Sequence, residues 1–341
     1  QGDLDHARTR RARNLKLGQF VLHAGHLGLD FLSLLHHLAE VLHGLRPLLN
    51  GCRGWVGQCI TVVMQHRNLF VFDIETVPDT DAVPALTGFD DPDVQARRDE
   101  LSRYHLEITD GRNDFHRQPF HRVVAISFLE AEIEHTPGGG EIYHLKELRS
   151  GGEASFGEKK LLQGFFGYFE RLRPRLVSFN GRGFDLPVLK YRAMAHGVQA
   201  PLLHDTSNKW ENYTARYALD WHCDLIEALS DFGASARIKL NEVCAILGLP
   251  GKFGVDGSQV APMFDDGRVA EIRDYCETDV LNTYLVYLRW QHHRGVLTTE
   301  ALNKALADVI SLVEAEGEAR PHLKQFIEAW GEASNNKFLM D

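Results

Sequence analysis

Residues 68–76, NLFVFDIET, decide how the chain is to be read. The run is apolar and β-branched enough for a central strand buried on both faces, yet it carries two acids, Asp73 and Glu75. Side chains two apart on a strand leave from one face, so both carboxylates point the same way while Phe72 and Ile74 take the other. Two carboxylates about 7 Å apart along a buried strand repel each other and lose hydration. That costs several kcal/mol unless a cation or strong hydrogen bonds compensate. A divalent metal is the simplest compensation. An exposed acidic pair at a strand end is the plainer alternative, and the pair alone does not choose.

Working outward, residues 77 to 120 form a long polar insert whose charged stretch DVQARRDELSRYHLEI predicts a helix placed as a lid or edge element. Two strands follow, RVVAISFLEAE and EIYHLKEL, joined as a hairpin by TPGGG. EKKLLQGFFGYFERLRP predicts a helix ending at Pro174, RLVSFNG a short buried strand, and DLPVLKYRAMAHG a second helix. DWHCDLIEALS and KLNEVCAILGLPGK add a short extended segment and a helix, and RVAEIRDYCETDVLNTYLVYLRWQHHRG is one long helix. Residues 296 to 341 predict two helices packed on the outside. Three leading strands followed by alternating helices and strands make an α/β protein with a mixed sheet. The pattern is compatible with a ribonuclease H-like sheet flanked by helices, with a helical C-terminal extension, but does not by itself single that fold out.

Two further segments carry acids where core residues or turns belong. On the long helix, Val269, Ile272, Cys276, Thr283, Val286 and Trp290 fall on one stripe at 100° per residue, and Asp279 lies in its middle. Tyr275 stands one turn before Asp279, so a phenol and a carboxylate point together. A structural tyrosine–aspartate pair is the alternative. In SFNGRGFDLPVL a strand ends at Asn180, a glycine-bearing turn follows, and Asp185 opens the next helix. Asp185 can be an N-cap there, and Gly181 and Gly183 plain turn glycines. The end of a strand beside a helix N-terminus is also where open α/β sheets bind anionic ligands.

The bulk numbers bound these readings. With 341 residues, 44% apolar and 25% charged, the chain can bury a large core. A formal net charge of -10 excludes a broad basic surface, so any contact with nucleic acid rests on a local basic patch or on metal ions. Five scattered cysteines, Cys52, Cys59, Cys223, Cys244 and Cys276, suggest neither a disulfide framework nor a zinc site, and fit a reducing cytoplasm. The first 63 residues are rich in Leu, Gly and His but lack the apolar run of about 18 residues that a membrane span needs, and show no secretory signal. The first methionine is Met64, just before the deciding strand, so residues 1–63 are expected to precede the natural start; an amphipathic helical arm is the alternative.

In order, D-x-E at Asp73 and Glu75, N-x-x-x-F-D at Asn180 to Asp185, and Y-x-x-x-D at Tyr275 to Asp279 resemble the three exonuclease motifs of the DEDD superfamily, in its tyrosine-bearing DEDDy branch. FDIET, SFNGRGFDLPVL and YCETDVLNTY look like the stand-alone 3'-5' exonucleases related to the proofreading domain of family B DNA polymerases. HCDL around Asp224 resembles a short stretch between the second and third motifs of that group. The resemblance covers about Met64 to His293, implying an exonuclease domain over residues 64–295 and an extension over 296–341.

What it implies is two-metal hydrolysis at the 3' ends of nucleic acid, single-stranded DNA being favoured. Asp73, Glu75 and Asp279 would hold the ion that binds the attacking water. Asp73 would bridge to a second ion supported by Asp185, and Tyr275 would orient the water. Hard oxygen ligands favour Mg²⁺ or Mn²⁺. Asn180, Phe184, Arg182 and Lys252 are candidate substrate contacts; Arg216, Arg237 and Lys239 are further basic residues near the motifs, for which solvated surface charge is the plainer reading. The glycine-rich segment LGLPGKFGVDGS, residues 247 to 258, suits a close approach to a nucleic-acid backbone. A catalytically silent nucleic-acid-binding domain and an endonuclease of the same fold are the rivals.

Overall fold

Strand β1 (Asn68–Pro78) lies at the centre of a five-stranded sheet. The structure is a computed structural model that describes residues 66–252 and 257–340. The expectations for residues 1–63, and for residues 253–256 of the glycine-rich segment, lie outside them. β1 pairs antiparallel with β2 (His121–His135), which pairs antiparallel with β3 (Glu141–Ser150). On its other side β1 runs parallel to β4 (Arg175–Ser178), and β4 parallel to β5 (His222–Asp224). The order β3-β2-β1-β4-β5 is a ribonuclease H-like mixed sheet. The β2–β3 hairpin turns at TPGGG, where the Gly140 amide donates to Thr136 Oγ1 at 3.0 Å and Gly139 takes a φ of 81°.

Ten helices surround the sheet among the described residues. The insert after β1 contains α1 (Val83–Thr87) and α2 (Val94–Ile108). Then come α3 (Glu158–Leu172), α4 (Asp185–His196), α5 (Leu225–Leu229), α6 (Leu240–Leu247) and α7 (Val260–Asp265). The long α8 (Val269–His293) is followed by α9 (Thr299–Glu316) and α10 (Pro321–Ser334).

The alternation of β1 divides two cores. Phe70, Phe72 and Ile74 pack against Leu161, Phe165 and Phe169 of α3 and Leu189 of α4. Leu69 and Val71 face the other way, into a core built with Val280 and Leu281 of α8 and Val243 of α6. Asp73 and Glu75 continue that second face, so the strand delivers both carboxylates toward α8.

One expectation needs correction. The sequence pattern put one apolar stripe on the long helix, but α8 is buried at every position from Tyr275 to Leu288, whereas Val269 and Trp290 are only half-buried. A helix buried on all sides needs neighbours on all sides, and the tail supplies part of them. Leu302, Leu306 and Val309 of α9 and Phe326 and Trp330 of α10 are fully buried in the same core as Val71 and Leu288. The tail helices therefore pack on the outside as expected, with one face buried in the main core and Lys304, Glu314, Lys324 and Glu328 exposed on the other. No described helix is long and apolar enough to cross a membrane.

Candidate active site

Three segments meet at the C-terminal half of β1. Asp73, Glu75 and Cys276 each bring one ligand atom into a group whose members all lie within 4.8 Å of one another. The Cys276 thiol donates to Asp73, 3.5 Å from its carbonyl oxygen and 3.8 Å from Oδ2. Asp185 reaches in from the first turn of α4 and accepts the Ile74 amide at 3.3 Å. It is not an N-cap: Phe184 holds that position, and the Asp185 carboxyl bonds a strand far away in sequence. Asp279 comes from α8, with Oδ2 2.7 Å from Lys252 Nζ. The same ammonium donates to the Tyr275 hydroxyl. Glu75, Asp185, Tyr275 and Asp279 are all buried, and Asp73 is partly so. The register breaks between Glu75 and Thr76, where β2 carries one extra residue, Val124, a bulge that lies level with the acids.

The turn that carries Asp185 is held by a fifth acid. The Asp224 carboxylate accepts the amides of Asn180 and Arg182, each at 2.8 Å, and that of Ile226 at 3.2 Å. Asn180 adopts a left-handed φ of 70°, which asparagine tolerates better than most residues. A β-carbon on Gly181 would fall 2.3 Å from Ser178 Oγ. Asp224 thus anchors the motif that its HCDL stretch accompanies in sequence.

The electrostatics are those of crowded, dehydrated acids. Burial, then the neighbouring Asp185, Glu75 and Asp279, push Asp73 well above the usual carboxylate range, against a lowering by Lys252. Burial and Asp279 do the same to Glu75. Burial raises Asp185 to about 7, with Asp224 adding to it. Asp279 is raised by burial, though Lys252 and Tyr275 pull it back. One lysine does not balance four acids. Asp279 Oδ1 is buried with no hydrogen-bond partner among the described residues, an arrangement costly unless a cation completes it. The carboxylate oxygens fit a hard divalent ion. Cys276 does not add to that set, because burial, then Asp73 and Glu75, push its thiol far up and keep it protonated.

The other candidates divide. Lys252 lies inside the cluster, on Asp279 and Tyr275. Phe184 is half-buried beside the cleft, in edge contact with His121 at 4.8 Å between ring centres. Arg182 turns inward, its guanidinium spent on Glu227 at 3.5 Å and on the carbonyls of Tyr213, Thr214 and His222, so it offers no free charge to a phosphate. Arg216 and Arg237 pair with the same Glu227. Lys239 is exposed at the start of α6. Sequence reasoning did not assign Cys276 to the site, although it lies on the same helix stripe as Asp279. It also left out the insert residues Ser102, Phe115 and His116, which line a cleft of about 440 Å³ together with Glu75, His121 and Phe184.

A family model described as a predicted 3'-5' exonuclease related to the exonuclease domain of PolB matches residues 113–330. The match takes in Asp185, Tyr275 and Asp279 and runs through most of α10, beyond the reach of the motifs. It begins after Asp73 and Glu75. No curated protein matches the chain.

Proposed function

The chain belongs to the family of predicted 3'-5' exonucleases related to the exonuclease domain of PolB, and from that premise we propose metal-dependent removal of nucleotides from the 3' ends of nucleic acid, single-stranded DNA first. One observation carries the reading: four acids from three separate segments crowd one buried point, and one of their oxygens has no hydrogen-bond partner among the described residues. A site meant only to bind phosphates gains nothing from such negative charge. Asp73, Glu75 and Asp279 would hold one ion, and Asp73 with Asp185 a second. A pair of Mg²⁺ or Mn²⁺ ions, when bound, supplies a more acidic attacking water and offsets charge building on phosphorus.

The chain's own groups do the positioning. Tyr275 has a hydroxyl fixed by Lys252 and aimed with Asp279 into the cluster, where it can orient a water. Burial raises its pKa, so it stays a neutral phenol able to donate. Lys252 holds its ammonium within the cluster on Asp279 and Tyr275, and its side chain, a third exposed, is open to an approaching terminal phosphate. Asn180 and Phe184 shape the turn that aims Asp185.

The test is a time course on single-stranded DNA labelled at its 5' end, with residues 64–341, Mg²⁺ or Mn²⁺, and an Asp279→Ala control. A stepwise ladder is the expected result. The control should lose at least the roughly hundredfold that an outer-shell partner alone costs a metal site. Internal cuts would point to an endonuclease, and no metal-dependent loss to a silent binding domain. An Asp279→Ala protein as fast as the parent would sink the assignment.

A further inference from the structure

We propose that the insert between β1 and β2 gives the site a stacking wall for the base of the 3'-terminal nucleotide, with Phe115 as the surface the base lies on. The inference rests on the exonuclease reading for its occupant, but the observations behind it are separate. The cleft of about 440 Å³ opens directly beside Glu75 and is within the range of small-molecule sites, roughly 300–1,000 Å³. Its described lining holds no lysine or arginine, so it suits a neutral base and not a phosphate. Burial, then His105 and His121, push the His116 imidazole down to about 4. It therefore meets a ligand as a neutral donor or acceptor. Ser102, Asp114 and His116 provide hydrogen-bonding groups at the base's edge.

A lone exposed phenylalanine would mean little. Phe115 differs because the loop presenting it is braced. It is 58% exposed, leaning on Phe184 at 5.9 Å and on His121 at 5.2 Å between ring centres. Its amide donates to Asn113 Oδ1 at 2.9 Å. The next residue is held twice, the His116 carbonyl lying 2.9 Å from His121 Nε2 and its ring nitrogen 3.1 Å from Ser102 Oγ. His121 reaches the strand beside the acids, with Nδ1 3.0 Å from Thr76 Oγ1. At the far side of the loop, Gln118 donates to the Gly183 carbonyl at 3.1 Å, joining the insert to the turn that carries Asp185. An apolar ring held out to water by this many local bonds is preorganised for a flat partner. A terminal base freed from pairing is such a partner, next to the carboxylates that would cut behind it.

The experiment compares the parent, Phe115→Ala and Phe115→Trp on single-stranded DNA ending either in a normal nucleotide or in an abasic 3' residue. Stacking on an aromatic side chain is worth about 1–3 kcal/mol per base, so Phe115→Ala should lower kcat/KM on the normal end by about 5- to 150-fold, mainly through KM. Phe115→Trp should keep it. On the abasic end, Phe115→Ala and the parent should match. The same loss on both ends, or no loss on either, overturns the proposal. A second readout does not need turnover: 2-aminopurine as the 3' base, in matched DNA and RNA strands, mixed in a stopped flow and read before the first cleavage. Quenching that Phe115→Ala removes, on either strand type, supports the stacking wall; quenching unchanged by the substitution, or absent from both strand types, overturns it. A parent that quenches but never shortens a 3' end would instead defeat the exonuclease reading while leaving the wall in place.

Discussion

Gly181 sits where a side chain has no room, with Ser178 Oγ and Cβ 2.3 and 2.5 Å from the place a β-carbon would take. The backbone on both sides is fixed by the Asp224 carboxylate, so the turn cannot slide to make space. Gly181→Ala should therefore cost about 1–3 kcal/mol in urea unfolding, as overpacking does. It should also slow 3' shortening by folded protein, because the shift displaces Asp185. Gly157, with nothing within 4 Å of an added β-carbon, is the control, and equal effects of the two substitutions would refute the account. The acids themselves were legible at this scale, since Asp73, Glu75 and Asp279 interrupt apolar patterns and their types announce them. Asp185 was legible by type but not by bonding: its partner, the Ile74 amide, lies 111 residues away, and no local spacing reports that. Lys252 was legible as a basic residue near the motifs, but its neighbours Tyr275 and Asp279, distant in sequence, were not.

Helix α8 carries two functions on opposite sides within five residues. Tyr275 and Asp279 point into the site, while Glu277 between them points toward the tail. Its carboxylate takes Ser150 Oγ at 2.9 Å and His322 Nε2 at 2.8 Å, and pairs with Arg320. Burial works against this charge, but His322 and Arg320 win and hold its pKa below the usual value. Removing one partner of a buried ion pair strands the other, at a cost of about 3–5 kcal/mol. Arg320 keeps about a fifth of its side chain exposed, so the lower end of that range is expected for Glu277→Ala. The loss should appear in unfolding midpoints, with kcat per folded molecule preserved at low temperature. A variant as stable as the parent would mean the tail is anchored by its apolar contacts alone. The hairpin, the long helix and the strand–helix alternation were readable from periodicity and turn residues. That the long helix is buried on all sides was not, because such a helix and one exposed on one side differ only through what covers them.

At the scale of the whole molecule, the crowded acids make the fold answer to pH and to metal together. A carboxyl whose pKa is raised in the folded state binds more protons there than in the unfolded chain, so stability falls as pH rises from the unfolded value toward the folded one. Asp185, raised to about 7, carries this loss into neutral solution, and Asp73 and Glu75 are raised in the same direction. Other groups act elsewhere. Glu141 and Glu158 are depressed despite burial, chiefly by Arg175 and Arg192 respectively, and withdraw their stability only in acid. The histidines His116, His121 and His222 are lowered, mainly by desolvation, and add stability as pH rises toward their unfolded pKa of about 6.5. Above that value the acids act almost alone. In EDTA the melting temperature should therefore fall between pH 6.5 and 8.5, and the fall should be shallower in Asp73→Asn, which removes a repelling charge while abolishing 3' shortening. Mg²⁺ or Mn²⁺ at a hundred times its dissociation constant should return about 2.7 kcal/mol. At a fixed metal concentration the gain should be larger at pH 8.5 than at 6.5, because ions bind the deprotonated acids. A pH slope identical in the parent and Asp73→Asn, or a metal effect independent of pH, would mean that the acids are not the groups the ions engage.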